Sequence, residues 1–308
     1  SQQRPFSIAS EVFDTLLYGA QHSLAVPMNG RIETLEALQF SDVEDFAKNA
    51  FASEGLQLVG VGDVAQSEIV AGLEFLNDLP EQAPELRAQP PLPSIEANTL
   101  YLVDKPGVAQ SEIRIGYITD MPYDVNGEYF KTTLMNYVLG GAFSSRINLN
   151  LREDKGYTYG ARSSFFSTQL PGPFTASASV RTDSTADSVV QFVNEITAYR
   201  DAGITAEELA FTRSAIGQRD ALNYETPRQK AGFLGNILQY DLPEDFVEQQ
   251  AQIINSITKQ EVDALAKEKL PFEKMLMLVV GDKEVIGEER AALGYPIVEV
   301  DSAGQLVN

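Results

Sequence analysis

Two stretches of this chain repeat each other without a gap. Val43, Ala47, Lys48, Glu54, Gly62 and Asp63 stand beside Val262, Ala266, Lys267, Glu273, Gly281 and Asp282. The offset is constant, since 262 minus 43 and 282 minus 63 both give 219. Each copy reads as a helix, a short connection, an apolar strand and a Gly-Asp turn. A period this long marks a duplicated domain rather than a solenoid. The chain is therefore expected to fold as two related domains that mix helices and strands. At 308 residues and 44% apolar content it has material for both cores.

The repeat also predicts an asymmetry. Residues 100–230 precede the repeated unit in the second copy, and subtracting 219 puts most of their counterparts before residue 1. The first domain is then incomplete at its N-terminus, with a sheet short of strands and an apolar helix face uncovered. The expectation is that the parent protein extends upstream. Ser1, with neither an initiator methionine nor a signal-peptide pattern, suggests a processed or truncated product.

Pro80, Pro84, Pro90, Pro91 and Pro93 are too dense for a helix or a central strand. They place a linker over 80–98, between the C-terminal part of a first domain (1–79) and a complete second domain (99–308). Before the linker, Ile8, Val12 and Leu16 recur one turn apart and Gly19 stops the helix. A second helix follows the Ser41/Glu44 pair, read as a capping box, with Val43, Phe46, Ala47, Ala50 and Phe51 as its apolar face. LQLVGVGD (56–63) then reads as a strand.

After the linker, LYLVD (100–104) and EIRIGYIT (112–119) read as strands. Phe130, Leu134, Tyr137 and Val138 mark a helix ending at Gly140, and Ser144 or Ser145 can cap the next, which carries Ile147 and Leu151 and stops near Gly156. YTYGARSSFF and FTASASVR, separated by Pro171, Gly172 and Pro173, predict an antiparallel pair, the second with Phe174, Ala176, Ala178 and Val180 on one face. Two helices follow, one with Val189, Phe192, Val193 and Ile196 inward and one opened by a Thr205/Glu208 capping box.

Several chemistries are excluded by count or charge. The net charge of -21, spread along the chain, works against nucleic acid or an anionic membrane surface. It describes an acidic solvated surface or, as the sharper alternative, a chamber for cationic peptides. Without cysteine there is no disulfide and no thiolate site. No apolar run approaches the roughly 20 residues that span a bilayer. Gly140-Gly141 is followed by AFSS rather than by the lysine of a phosphate loop. Gly60, Gly62 and Ala65 fit a lax dinucleotide fingerprint, but Val279 and Glu284 replace Gly60 and Ala65 in the second copy. His22 is the single histidine, so neither a two-histidine zinc site nor a triad drawing on several imidazoles can be built; a solvated or backbone-bonded ring is its commoner role.

What remains is Arg152 in the last turn of its helix, and Tyr157 and Tyr159 on one face of the strand after Gly156. A guanidinium beside a phenol offers strong donors without a titratable base, which suits holding a peptide carbonyl or an oxyanion. The bland alternative pairs Arg152 with Glu153 or Asp154 and buries both tyrosines in the core.

LGGAFSSRINLNLREDKGYTYGARS resembles the glycine-rich and Arg-Tyr segment in the second half of pitrilysin-family zinc metallopeptidases, the inverzincins that include insulysin and the mitochondrial processing peptidase. FDTLLYGAQHSLAVPMNGRIETLEALQFSDVEDFAKNAF followed by LQLVGVGDV is similar to the end of that family's preceding domain. The resemblance implies duplicated α+β domains, each a mostly antiparallel sheet covered by helices, in a substrate-binding, non-catalytic half that closes as a clamshell around unfolded peptides. Its Gly140, Gly141, Ser144 and Ser145 would form the glycine-rich loop. Arg152 and, seven residues on, Tyr159 would contact the substrate backbone; Tyr157 stands where relatives more often carry an aliphatic residue. The H-x-x-E-H helix is missing, so the resemblance puts zinc in a catalytic half, upstream in the same protein or on a separate subunit, with no cofactor on this chain and no activity of the chain alone. A non-enzymatic scaffold or complex subunit, as in the family's respiratory-complex relatives, is the other implied role. Similar bacterial tandem proteases suggest a periplasmic setting.

Overall fold

The computed structural model describes residues 4–82, 88–94, 98–217, 225–287 and 293–307. Pro84 and parts of the 80–98 linker lie outside them. Helices run over Pro5–Tyr18 (α1), Ile32–Ala37 (α2), Phe40–Ala50 (α3), Gln66–Gly72 (α4), Glu128–Asn136 (α5), Arg146–Asn148 (α6), Thr185–Ala202 (α7), Ala206–Gly217 (α8), Pro227–Tyr240 (α9), Phe246–Ser256 (α10), Lys259–Lys269 (α11) and Lys283–Ile286 (α12). Strands are Leu100–Asp104 (β1), Gln110–Ile118 (β2), Thr158–Phe165 (β3), Pro173–Arg181 (β4), Leu276–Gly281 (β5) and Ile297–Glu299 (β6). No described helix is long and apolar enough to cross a membrane.

Two compact units form. One contains described residues 4–26, 90–94, 98–217, 246–287 and 293–307; the other contains 27–82, 88–89 and 225–245. This grouping differs from a division at the proline-rich stretch, because α1 packs on the sheet of the larger unit.

That sheet has the order β3-β4-β2-β5-β1-β6. The pairs β3/β4, β4/β2 and β2/β5 are antiparallel, and β1 lies parallel to both β5 and β6. β5 sits centrally and is buried along its whole length. Met277 and Val279 join the core formed with Leu134, Phe192, Ile196 and Val262, while Leu276, Leu278 and Val280 pack against Ile8, Val12, Phe13 and Leu17 of α1. A strand covered on both faces reads as a continuous apolar run, which is what MLMLVV is. Phe174, Ala176, Ala178 and Val180 all face inward on β4, as alternation requires.

In the smaller unit the local predictions meet a different outcome. α3 begins one residue before Ser41, with Gln39 at the N-cap and its N–H donating to Asp42 Oδ2 at 2.8 Å. The apolar face of α3 is open, with Phe46 70% exposed. Residues 56–63 form no strand, although their counterparts at 275–282 include central β5. A lone extended segment gains no ladder hydrogen bonds, and the chain has placed its sheet-forming strands in the other unit.

Candidate functional site

The glycine-rich segment begins inside one π-helical turn and leads to a second. α5 runs into one over Tyr137–Gly141, so the helix passes Gly140, and α6 runs into another over Leu149–Asp154. The wider i+5 bonds are Ala142 N–H to Tyr137 O at 2.8 Å and Lys155 N–H to Asn150 O at 2.9 Å. Such insertions concentrate at functional sites because they displace a side chain from the helical raster. A Cβ on Gly140 would lie 2.2 Å from Ser163 N, so only glycine lets this turn approach β3. Gly141 is exposed.

The serines do not cap as the sequence suggests. Ser144 is exposed in the turn. Ser145 occupies the N-cap of α6 and its carbonyl accepts from Leu149 N at 2.8 Å, but its hydroxyl is buried without a hydrogen-bond partner among the described residues. What holds α6 is Arg146. Its Nε and Nη2 donate to Glu208 Oε1 and Oε2 at 2.7 and 2.6 Å, and its guanidinium lies 4.7 Å from the centre of the Tyr199 ring. Glu208 also accepts from Thr205 N at 2.8 Å, completing the predicted capping box. Arg146 is thus a clamp between the glycine-rich segment and α8.

Arg152 lies in the second π turn. Its guanidinium stacks 4.2 Å from the Phe143 ring centre, and Nη1 is 3.3 Å from Glu153 Oε1. That contact is an ion pair without hydrogen-bond geometry, so Nη1 keeps no hydrogen-bond partner among the described residues. The local carboxylate pairing anticipated as the bland alternative is therefore present, in an imperfect form. Phe143, 71% exposed, was not singled out in the sequence; an aromatic between glycines and serines in an otherwise polar turn was its signal.

The two tyrosines separate. Tyr157 donates to Asp187 Oδ2 at 2.8 Å and packs against the core; that bond raises its pKa above the ordinary phenol value. Tyr159 is 91% exposed. Alternation alone would turn Tyr159 to the same side as the buried Ala161, Ser163 and Phe165. A bulge between Thr158 and Ala161 prevents this, since three steps on β3 match two on β4, from Val180 to Ala178. Thr158 Oγ1 fastens the bulge, donating to Ser179 O at 2.7 Å and accepting from Gly160 N at 3.1 Å. Arg152 and Tyr159 line one cavity of about 410 Å³ with Glu153, Tyr157 and Arg181. Tyr159 also lines a second cavity of about 410 Å³ over β2, β4 and β3.

The zinc ligands that a hydrolytic centre requires do not fit here. His22 is buried, its Nδ1 accepting from Leu24 N at 3.2 Å, and the described residues contain no group of three or more His, Cys, Asp or Glu placed for a metal ion.

A sequence profile described as the peptidase M16 inactive domain matches residues 37–216. The chain is 21% identical over 282 residues to the uncharacterized zinc protease YmxG of Bacillus subtilis (strain 168), covering 90% of this chain and 66% of that protein. Its fold is similar to the crystal structure of a peptidase M16 inactive domain from Pseudomonas fluorescens, with TM-score 0.78, 23% identity, and coverage of 91% of this chain and 66% of that one. It is also similar to the periplasmic protease PqqL from Escherichia coli, with TM-score 0.69, 18% identity, and coverage of 92% and 31%. The chain thus spans about two thirds of the length of the first two relatives.

Proposed function

The chain belongs to the peptidase M16 inactive-domain family, and from that premise we propose that it is the substrate-gripping half of a zinc metalloendopeptidase, holding unfolded peptides against Arg152 and Tyr159. The observation that carries this reading is the shared cavity. It brings together the Arg152 guanidinium, stacked on Phe143 and ion-paired with Glu153, and a phenol that the β3 bulge turns outward. Both groups donate, and neither is a base at neutral pH, so they can hold a peptide carbonyl and support charge developing on it. They cannot remove a proton from water, so the chemistry belongs elsewhere. We assign it to an H-x-x-E-H half that carries the zinc, in the same polypeptide or on a separate subunit, the two halves closing on the peptide as a clamshell.

The test is turnover of a peptide by the assembled protease. Arg152→Gln and Tyr159→Phe should each lower kcat by roughly 10- to 1000-fold, the range for a lost oxyanion donor. Unchanged turnover in both variants would remove the assigned role.

A further inference from the structure

Beyond Tyr159, the second cavity contains a row of side chains that the peptide-gripping role does not use. The registers place Arg114 of β2 opposite Ser177 of β4, and Ser177 opposite Arg162 of β3. Directly paired residues share a sheet face, so Arg114, Ser177 and Arg162 stand in line. With strands about 4.8 Å apart, the two arginine backbones are roughly 10 Å from each other with the smallest of the three side chains between them. All three residues line the cavity of about 410 Å³.

The donors there are unspent. Among the described residues the side chains of Arg162, Ser177 and Tyr159 make no hydrogen bond or ion pair, and Arg162 is exposed. Arg114 is held below them by a 2.9 Å bond from Nη2 to Ser10 Oγ and by stacking 5.1 Å from the Phe6 ring centre. Burial, and after it Arg162, work against the charge on Arg114, while Glu112 and Asp14 favour it. Glu112, the carboxylate on this wall, already accepts a hydrogen bond from Ser179. Two guanidiniums flanking a gap, with hydroxyls beside them, outnumber the one carboxylate of the lining and are matched by an anion that brings planar acceptor oxygens.

We propose that this cavity is a carboxylate subsite in which Arg162, backed by Arg114 and flanked by Ser177 and Tyr159, receives an acidic side chain or the terminal carboxylate of a bound peptide. The proposal rests on the peptide-gripping role and names a preference within it. It runs against the chain's overall field, which at a net charge of -21 disfavours acidic ligands, so a preference for them has a local cause.

Three fluorescent peptides of one sequence test it by anisotropy with the 308-residue chain. One carries an internal Glu and an amidated end, one a Gln at that position and a free carboxyl end, and one a Gln and an amidated end. At least one acidic peptide should bind roughly tenfold tighter than the neutral one, the scale of a hydrogen bond to a charged group. The preference should fade with added salt and vanish in Arg162→Gln, whereas Arg152→Gln should weaken all three alike. Preference for the internal Glu identifies a side-chain pocket, and preference for the free end a terminus pocket. Equal binding of all three, or a preference that survives Arg162→Gln, overturns the subsite and leaves the grip intact. Failure of every peptide to bind overturns both.

Discussion

At the scale of single residues, the sheet face opposite the main core is where charge and burial conflict most. Asp14 sits on α1 among apolar neighbours, and burial pushes its carboxyl up to about 6 despite the opposing Arg114. The folded chain therefore holds this proton more tightly than the unfolded chain, whose carboxyl has the ordinary value of 3.8. Its contribution to stability is most favourable below about pH 4, declines as pH rises through the window from 4 to 6, and is a full penalty above that. Asp14→Asn should stabilise the chain at pH 7.5 by about 2 kcal/mol and leave it unchanged near pH 3.5, as read by urea denaturation of both proteins at each pH. Equal differences at the two pH values would show that the side chain is solvated. The sequence shows Ile8, Val12 and Leu16 as a helical stripe but not this conflict, because a helical period says which face is buried and nothing of which charged groups the neighbouring strand presents.

At the scale of elements, the bulge in β3 decides what Tyr159 can do. The family resemblance singled out Arg152 and Tyr159, yet period-two alternation would have left Tyr159 in the core. One extra residue, fastened by Thr158, turns it out. Thr158→Val keeps the shape of the side chain and removes both bonds. It should cost roughly 1–2 kcal/mol in denaturation and weaken peptide binding, with Tyr159 no longer held outward. Peptide affinity equal to wild type would show that the outward turn is fixed by something other than Thr158. The two π turns were equally illegible. An i+5 bond inserts one residue into a helix and needs no particular side chain, so the sequence shows a helix near Gly140 and Gly156 but not the offset that brings Arg152 over Phe143. Strands β1 to β5 were readable from apolar runs and alternation, whereas β6 is three half-buried residues and leaves no periodic signature.

At the scale of the whole molecule, one repeated pattern has two fates. Val262 is 1% exposed on α11, packed in the core beneath β5, while its counterpart Val43 on α3 is 54% exposed. β5 lies between β1 and β2, and residues 57–62, its counterparts, are paired to no strand. The helix propensity and apolar spacing are common to both copies, so the difference lies in which strands are available to receive them. This yields a prediction with an internal control. Val262→Ala should destabilise the chain by about 2 kcal/mol, as deletion of two methyl groups from a close-packed core does. Val43→Ala should change stability by less than about 0.5 kcal/mol, as at exposed positions. The open face of α3, with Phe40, Val43 and Phe46, and the neighbouring Phe51 should bind an apolar dye such as ANS, and Phe46→Ser with Phe51→Ser should remove most of that signal without lowering the denaturation midpoint. Equal costs at Val43 and Val262, with no dye bound, would mean that the first copy buries its apolar face as the second does. The expected asymmetry instead means that the same apolar spacing is buried where β5 has strands on both sides and stays open at 43–63, where no strand pairs with its counterpart.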